Sequence, residues 1–391
     1  MTQYDSDIKI ETLIERCCPD GVKYVNLGQV VTFSDGFAFS SNNFSDAGEY
    51  PVVKITDIYN GVINKGKTFI ETFPDKLKKT QVLSGGEVLV AMSGSTGKTG
   101  YNSLNNAVVN QRIAILRNNS NAMDNGFMKH VLVNSRFENY CFKNGTGPQN
   151  NVSKATILKY SIPLPPLPVQ QEIVRILDHF TELTAELTAE LTARRKQYAY
   201  YRDALLTFGE SIKHVPLSQI AEIGTGSSNT NEGLNSGRYP FFVRSQEVRY
   251  KNTYEYDETA IITSGDGVGV GKIFHYVEGK YALHQRAYRI HIEDTGIVPK
   301  YIFYYMKSKF LPYIQKSSFH SSVTSIRRPM LNNFPIPLLP LERQRELVNT
   351  LDNFDAFCND LTSGLPAEIA ARQKQYEYYR DKLLTFKEFG A

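Results

Sequence analysis

The segment starting at Ile162, IPLPPLPVQQEIVRILDHF, returns at Ile336 as IPLLPLERQRELVNTLDNF, an offset of 174. Further on, RKQYAYYRDALLTF (195–208) returns as RQKQYEYYRDKLLTF (372–386), where Lys196 matches Lys374 at an offset of 178. Four residues have therefore been gained inside the second copy. A duplication constrains the chain more than any single motif, because what one copy builds the other must build too.

Both copies read as long helices, each entered through a Pro-rich stretch that ends the preceding structure. In the first copy large residues fall at Ile173, Ile176, Phe180, Leu183, Leu187, Leu191, Tyr198, Tyr201, Leu205 and Phe208, with Arg194 at the one polar place. The steps of three and four are those of a coiled-coil seam, with a stutter in the tandem TAELTAEL at 184–191. The second copy keeps the rhythm but carries Ser363-Gly364-Leu365-Pro366, which is predicted to kink or break the helix. A helix of ~40 residues is ~60 Å long, more than one compact domain buries. The two are therefore expected to pair antiparallel as a spacer.

The blocks between the helices repeat more faintly. EYPVVKITD (49–57) resembles RYPFFVRSQ (238–246), NQRIAIL (110–116) matches HQRAYRI (284–290), and Gly97-Lys98 matches Gly271-Lys272. β-rich runs such as EVLVAM and AIITSG precede helix-like stretches, so each block reads as a mixed α/β domain. The expected plan is α+β: a first domain over 1–161, a helix over 162–208, a second domain over 209–335 and a helix over 336–391. The two domains are expected to be related by a pseudo-twofold.

Net charge is +4, and it is unevenly spread: +3 in 1–161, −1 in 162–208, +4 in 209–335 and −2 in 336–391. Two basic blocks between acidic spacers suit a polyanion such as DNA. The acidic, amphipathic start lacks the basic and apolar stretches of a signal peptide, and no apolar run reaches ~18 residues, so a cytoplasmic location is expected. Cys17, Cys18, Cys141 and Cys358 have no CxxC spacing, and adjacent Cys17-Cys18 read as thiols packed at a helix end.

AMSGSTGKTG (91–100) imitates a phosphate-binding loop, but Met92 stands where the first glycine must be. The second block has SGDGVGVGK at the same place. A glycine turn used twice with different spacing reads as a tight turn needing positive φ, or as a loop bringing backbone N–H groups and Lys98 or Lys272 to a phosphate backbone. There is no NPPF- or DPPY-type methyltransferase motif, no HExxH and no GxSxG, and the seven histidines show no ligand spacing.

The helical segments, the TAEL tandem and their second copies resemble the specificity subunits of type I restriction-modification systems, in particular the type IC subgroup. The resemblance implies two target-recognition domains in pseudo-twofold arrangement, joined by two long antiparallel coiled-coil helices. It implies a non-catalytic chain in which each domain reads one half of an asymmetric bipartite DNA site, while the helices set the spacing and dock two modification (methyltransferase) subunits. No cofactor is expected on this chain. S-adenosylmethionine belongs to the modification subunit, and ATP and Mg to restriction subunits that join the complex.

Phosphate contacts favour Lys, Arg, Ser and Thr, and base readout favours Arg, Asn and Gln. The candidates in the first block are Lys54, Ser93, Ser95, Thr96, Lys98 and Arg112. In the second they are Arg244, Ser245, Gln246, Ser264, Asp266, Lys272 and Arg286. The loops NGTGPQNN (144–151) and SSFHSSVTSIRRP (317–329) are further candidates. Tyr198, Tyr201, Tyr376 and Tyr379 fit the helix seam and are also candidates for facing a partner subunit. The alternatives are a specificity chain of another restriction-modification class, a coiled-coil scaffold without DNA contact, and a nucleotide hydrolase using Lys98.

Overall fold

The computed structural model describes residues 3–316, 325–360 and 362–390. The chain forms two compact units, residues 1–186 with 370–391 and residues 187–369. The first boundary, between Glu186 and Leu187, falls inside the TAEL tandem.

Unit 1 begins with α1 (Gln3–Cys17) and then builds strands β1 (Tyr24–Asn26), β2 (Val31–Asp35), β3 (Tyr50–Val53), β4 (Ile58–Tyr59), β5 (Gly61–Ile63), β6 (Phe69–Ile70), β7 (Val82–Ser84), β8 (Val88–Ala91), β9 (Thr99–Tyr101), β10 (Asn105–Val109) and β11 (Ile113–Asn118). Helices α2 (Asn125–Leu132), α3 (Ser135–Lys143) and α4 (Lys154–Leu158), strand β12 (Ser161–Pro163) and the start of α5 (Leu167–Leu205) follow. The sheet orders are β2-β11-β8-β9-β5-β4, β6-β3-β10-β7 and β1-β12. The apolar runs VLVA of β8 and IAIL of β11 lack alternation because both faces are covered, and all these residues are buried. Asp124 caps α2 by accepting from the Phe127 N–H, and Asn134 caps α3 by accepting from Arg136 and Phe137.

Unit 2 repeats the scheme with β13 (His214–Pro216), β14 (Ala221–Thr225), β15 (Tyr239–Phe242), β16 (Arg249–Lys251), β17 (Tyr256–Ser264), β18 (Phe274–Leu283), β19 (Ala287–Ile292) and β20 (Pro335–Pro337). Its helices are α6 (Pro299–Lys316), α7 (Arg328–Asn332) and α8 (Leu341–Asn359), and α9 (Leu365–Leu383) leads back into unit 1. The sheets are β14-β19-β17-β18-β15-β16 and β13-β20. The two Tyr-Pro segments each become a strand parallel to the one before the Gln-Arg turn: Val52 pairs with Val108, and Phe241 with Ala282.

The first helical repeat is one uninterrupted helix of 39 residues. The second is broken into two helices of 19 residues each. At the break Asp360 accepts from the Thr362 N–H and from the hydroxyls of Thr362 and Ser363. These bonds hold its carboxyl down to about 2. A Cβ at Gly364 would stand 2.6 Å from the carbonyl oxygens of Ala356 and Phe357. Within unit 2, α5 and α8 run antiparallel: Arg195 reaches the Cys358 carbonyl, while Tyr198 and Tyr201 stack on Phe354.

Each unit is fastened to its spacer helices by the same polar anchors. Gln170 and Gln344 are fully buried. Gln170 accepts from the Asp124 N–H and donates to the carbonyls of Ala122 and Pro165. Gln344 does the same, 174 residues on, with Val298, Gly296 and Leu339. Asp178 takes Lys129 at 2.7 Å and His130 Nε2 at 2.9 Å. Its repeat, Asp352, takes Lys300 at 2.8 Å and the Tyr304 hydroxyl at 2.5 Å. Farther along the helices Ser308 donates to Asp203, and Arg136 approaches Asp381 at 3.8 Å.

The His130–Asp178 anchor gives unit 1 an acid sensitivity. Burial is the main force keeping His130 below its ordinary value, with Lys129 and Arg380 adding to it. The hydrogen bond from His130, then Lys129, holds Asp178 at about 2 against its own burial. The folded chain keeps His130 neutral where the unfolded chain takes up a proton, so this contribution is lost as pH falls below ~6.5. The Asp178 contribution is present above ~4 and is lost between there and about 2. His130→Tyr, which supplies the residue unit 2 uses, is expected to flatten the fall in melting temperature between pH 7.5 and 5. Parallel curves for variant and wild type would contradict this.

The tyrosines chosen as partner contacts are mostly used inside the units. Tyr198 is buried. Tyr376 bonds to His130 Nδ1 at 3.3 Å, and Tyr379 stacks on Phe180 at 5.3 Å. Of the four, only Tyr201 is substantially open, at 43 %. The tyrosines between them project instead: Tyr200 is 70 % exposed and Tyr378 65 %.

Candidate nucleic-acid interface

In each unit four segments are tied together by the same backbone bonds. In unit 1 Phe37 donates to Val109 and accepts from Gln111, Asn110 donates to Val53, and Met92 donates to Arg112. In unit 2 Ser228 donates to Leu283 and accepts from Gln285, His284 donates to Phe242, and Gly265 donates to Arg286. The frame projects a Gln-Arg pair twice: Gln111 and Arg112, then Gln285 and Arg286, all exposed. Arg112 sits at φ +72, a conformation that side chains rarely adopt.

The glycine turns border these frames. Gly94 and Gly267 form their open tips at positive φ, and Gly97 and Gly271, also at positive φ, press against α3 and α6. The turn in unit 1 runs into strand β9, not a helix, and its Gly97 and Lys98 N–H groups bond to Ala91 and Ser95. A phosphate-binding loop needs free N–H groups at a helix start, so the nucleotide-hydrolase reading is set aside.

The structure brings some of the predicted residues together. Arg244 Nη1 lies 2.6 Å from Asp266 Oδ1, and Arg286 Nη1 lies 3.2 Å from Asp266 Oδ2. Burial works to raise the Asp266 carboxyl, but the two guanidiniums hold it below the ordinary range. Asp266 thus aims two exposed arginines beside a shallow depression of about 400 Å³ lined also by Asn229, Thr230, Asn231 and Gln285. Burial, then Arg244, pushes the His284 imidazole below its ordinary value, and its Nδ1 accepts from the Arg286 N–H. In unit 1 Lys54 is half-buried, with its ammonium 4.6 Å over the Phe44 ring, and Arg112 makes no ion pair among the described residues.

Other predicted residues are placed differently. Ser93, Thr96 and Ser264 are buried. Thr96 donates to the Asn150 carbonyl and Ser264 to that of Asp266. The hydroxyls of Thr96 and Ser264 thus hold their own loops. Ser95 and Lys272 are exposed, and Lys98 is half-buried. Ser245 donates to the Glu247 carbonyl, and Gln246 lines a different cleft. Of the loop 317–329, residues 317–324 lie outside the described residues.

Sequence reasoning missed Gln111, Gln285 and the Asn229–Asn231 turn. The repeated Gln-Arg pair was the available signal. Val268, outside the predicted set, is fully exposed at a glycine-turn tip. Among the described residues no cluster of three or more His, Cys, Asp or Glu is placed to hold a metal, and no helix is long and apolar enough to cross a membrane.

The type I restriction modification DNA specificity domain family matches residues 19–194 and 210–371. A candidate type I restriction enzyme specificity subunit of Haemophilus influenzae is 31 % identical over 327 residues, covering 76 % of this chain and 82 % of that one. A type I restriction enzyme specificity subunit of Escherichia coli is 35 % identical over 276 residues, covering 63 % and 67 %. A chain from a structural study of type I restriction-modification complex assembly superposes with a TM-score of 0.62 at 18 % identity, over 94 % of this chain and 98 % of that one. The Mycoplasma genitalium S subunit gives 0.54 at 16 %, over 93 % and 96 %. On the extent of these matches, the chain belongs to the family of type I restriction-modification specificity subunits.

Proposed function

We propose that this chain is the non-catalytic DNA-recognition subunit of a type I restriction-modification complex, each unit reading one half of an asymmetric bipartite site. The observation that carries this reading is the Gln-Arg frame, built twice by the same backbone bonds, with exposed Arg244 and Lys272 beside it in unit 2 and half-buried Lys54 and Lys98 in unit 1. Domains over 1–161 and 209–335 hold the frames, and the helical segments 162–208 and 336–391 set their spacing. S-adenosylmethionine acts on the modification subunits, and ATP with Mg on restriction subunits. Binding to cognate duplex is the test. Arg286→Ala is expected to weaken it about 10- to 100-fold and to relax the preference for one half-site. Lys272→Ala should weaken cognate and unrelated duplexes alike and lower the salt slope by about 1. Unchanged affinity in both variants would discard the interface.

Two modification subunits dock, in this reading, on the repeated faces marked by Tyr200 and Tyr378. Each ring projects beside an edge-on tyrosine, Tyr201 at 5.5 Å and Tyr379 at 5.4 Å, an arrangement suited to interface anchors. Tyr200→Ala or Tyr378→Ala should leave one modification subunit bound in native mass spectra, and the double variant none. Full occupancy in the double variant would move the docking faces elsewhere.

A further inference from the structure

The two units differ at one sheet edge. In unit 1, β5 pairs parallel with β9, Gly61 opposite Gly100 and Val62 opposite Tyr101. It lies so close to the end of α2 that a Cβ at Gly61 would stand 2.8 Å from Val133 Cγ1. The start of β18 has the same place in unit 2. It follows the glycine turn and pairs antiparallel with the preceding strand, Thr263 opposite Phe274 and Ile262 opposite His275. Its other edge is paired by β15 only at Ala282 and Leu283. Among the described residues no strand covers Phe274–Val277 on that side.

A cleft of about 1110 Å³ opens along this edge, walled by the start of β18, by Val248 and Tyr250, and by residues of α6 and α8. Lys307 stands in it where unit 1 has Val133, at an offset of 174. Its ammonium lies 5.0 Å over the Phe303 ring, and its ion pair with Asp355 is long, at 3.9 Å. We propose that this cleft takes an extended segment of the modification subunit, added as a strand to the open edge of β18 as β5 covers β9 in unit 1. The segment's backbone pairs with β18, an apolar side chain rests on Val248 and Tyr250, and a carboxylate meets Lys307. Burial lowers the pKa of this lysine, and a closer anion compensates its lost hydration better than the distant Asp355 does.

The proposal rests on the reading that the chain assembles with a modification subunit. The test uses the purified full-length complex with the photo-cross-linker p-benzoyl-phenylalanine incorporated at Tyr250, and at Tyr59 on the unit 1 hairpin as control. Cross-linking from Tyr250 is expected to reach one linear segment of the modification subunit. Amide exchange over Phe274–Val277 should slow at least about tenfold on assembly. Lys307→Val should cut the cross-link about tenfold. An assembled complex with no such cross-link and unchanged exchange overturns the proposal, as does cross-linking to DNA or to a second copy of this chain. A chain that binds no modification subunit at all overturns the underlying reading and this proposal together, and native mass tells that failure from an assembled complex with an empty cleft.

Discussion

Gly97→Ala is expected to cost unit 1 about 3–5 kcal/mol, a large part of the 5–15 kcal/mol typical of a folded domain. Two effects add. The glycine sits at φ +85, where a side chain costs about 1 kcal/mol. A Cβ there would also lie 2.5 Å from the Glu138 carbonyl oxygen and 2.9 Å from Cys141 Cβ. The oxygen belongs to the backbone of α3 and cannot turn aside, so the helix must move. Gly94 is the built-in control. It has φ +72 but nothing within 4 Å of its would-be Cβ, so Gly94→Ala should cost only about 1 kcal/mol. Gly271→Ala should fall between them, because it meets side-chain tips of Ile314 and Leu311 at 2.8 and 3.0 Å. Urea denaturation of the full chain ranks the three. A Gly97→Ala variant no weaker than Gly94→Ala would contradict the steric cost assigned to the close approach to α3.

Inserting one Thr-Ala-Glu-Leu unit after Leu191 should lengthen the unread spacer of the DNA site without altering what either half-site contains. The insertion adds ~6 Å of helix. DNA rises ~3.4 Å per base pair along a strand, so the methylated motif should gain one or two base pairs of spacing. The tandem tolerates the change because Glu186, Thr188, Ala189 and Glu190 are all exposed. An unchanged spacer in a variant that still methylates would separate helix length from half-site distance.

Much of this architecture is legible in the sequence because duplication supplies its own control. The positive-φ glycines and the helix break at Ser363–Pro366 follow from residue types that tolerate few conformations or demand rare ones. Side-chain destinations are less legible. A hydroxyl serves equally well in a turn or on a surface, so Ser93, Thr96 and Ser264 gave no sign that the loops would bury them. The heptad rhythm places Tyr198 inside, while exposed Tyr200 and Tyr378 lie one position off the seam and leave no periodic signal. Gln170, Gln344, Asp178 and Asp352 looked like ordinary polar helix residues. Their partners lie 46 to 52 positions upstream, beyond any local period. The open edge of β18 emerges only when the two units are compared strand by strand.

The most direct measurement is methyladenine sequencing of DNA from cells expressing the neighbouring modification subunit with the wild-type chain, with Arg112→Ala or with Arg286→Ala. The account predicts a bipartite motif that depends on the chain, relaxed in one half by the first variant and in the other half by the second. A contiguous motif, or the same half altered by both variants, would contradict the division of recognition between the two units.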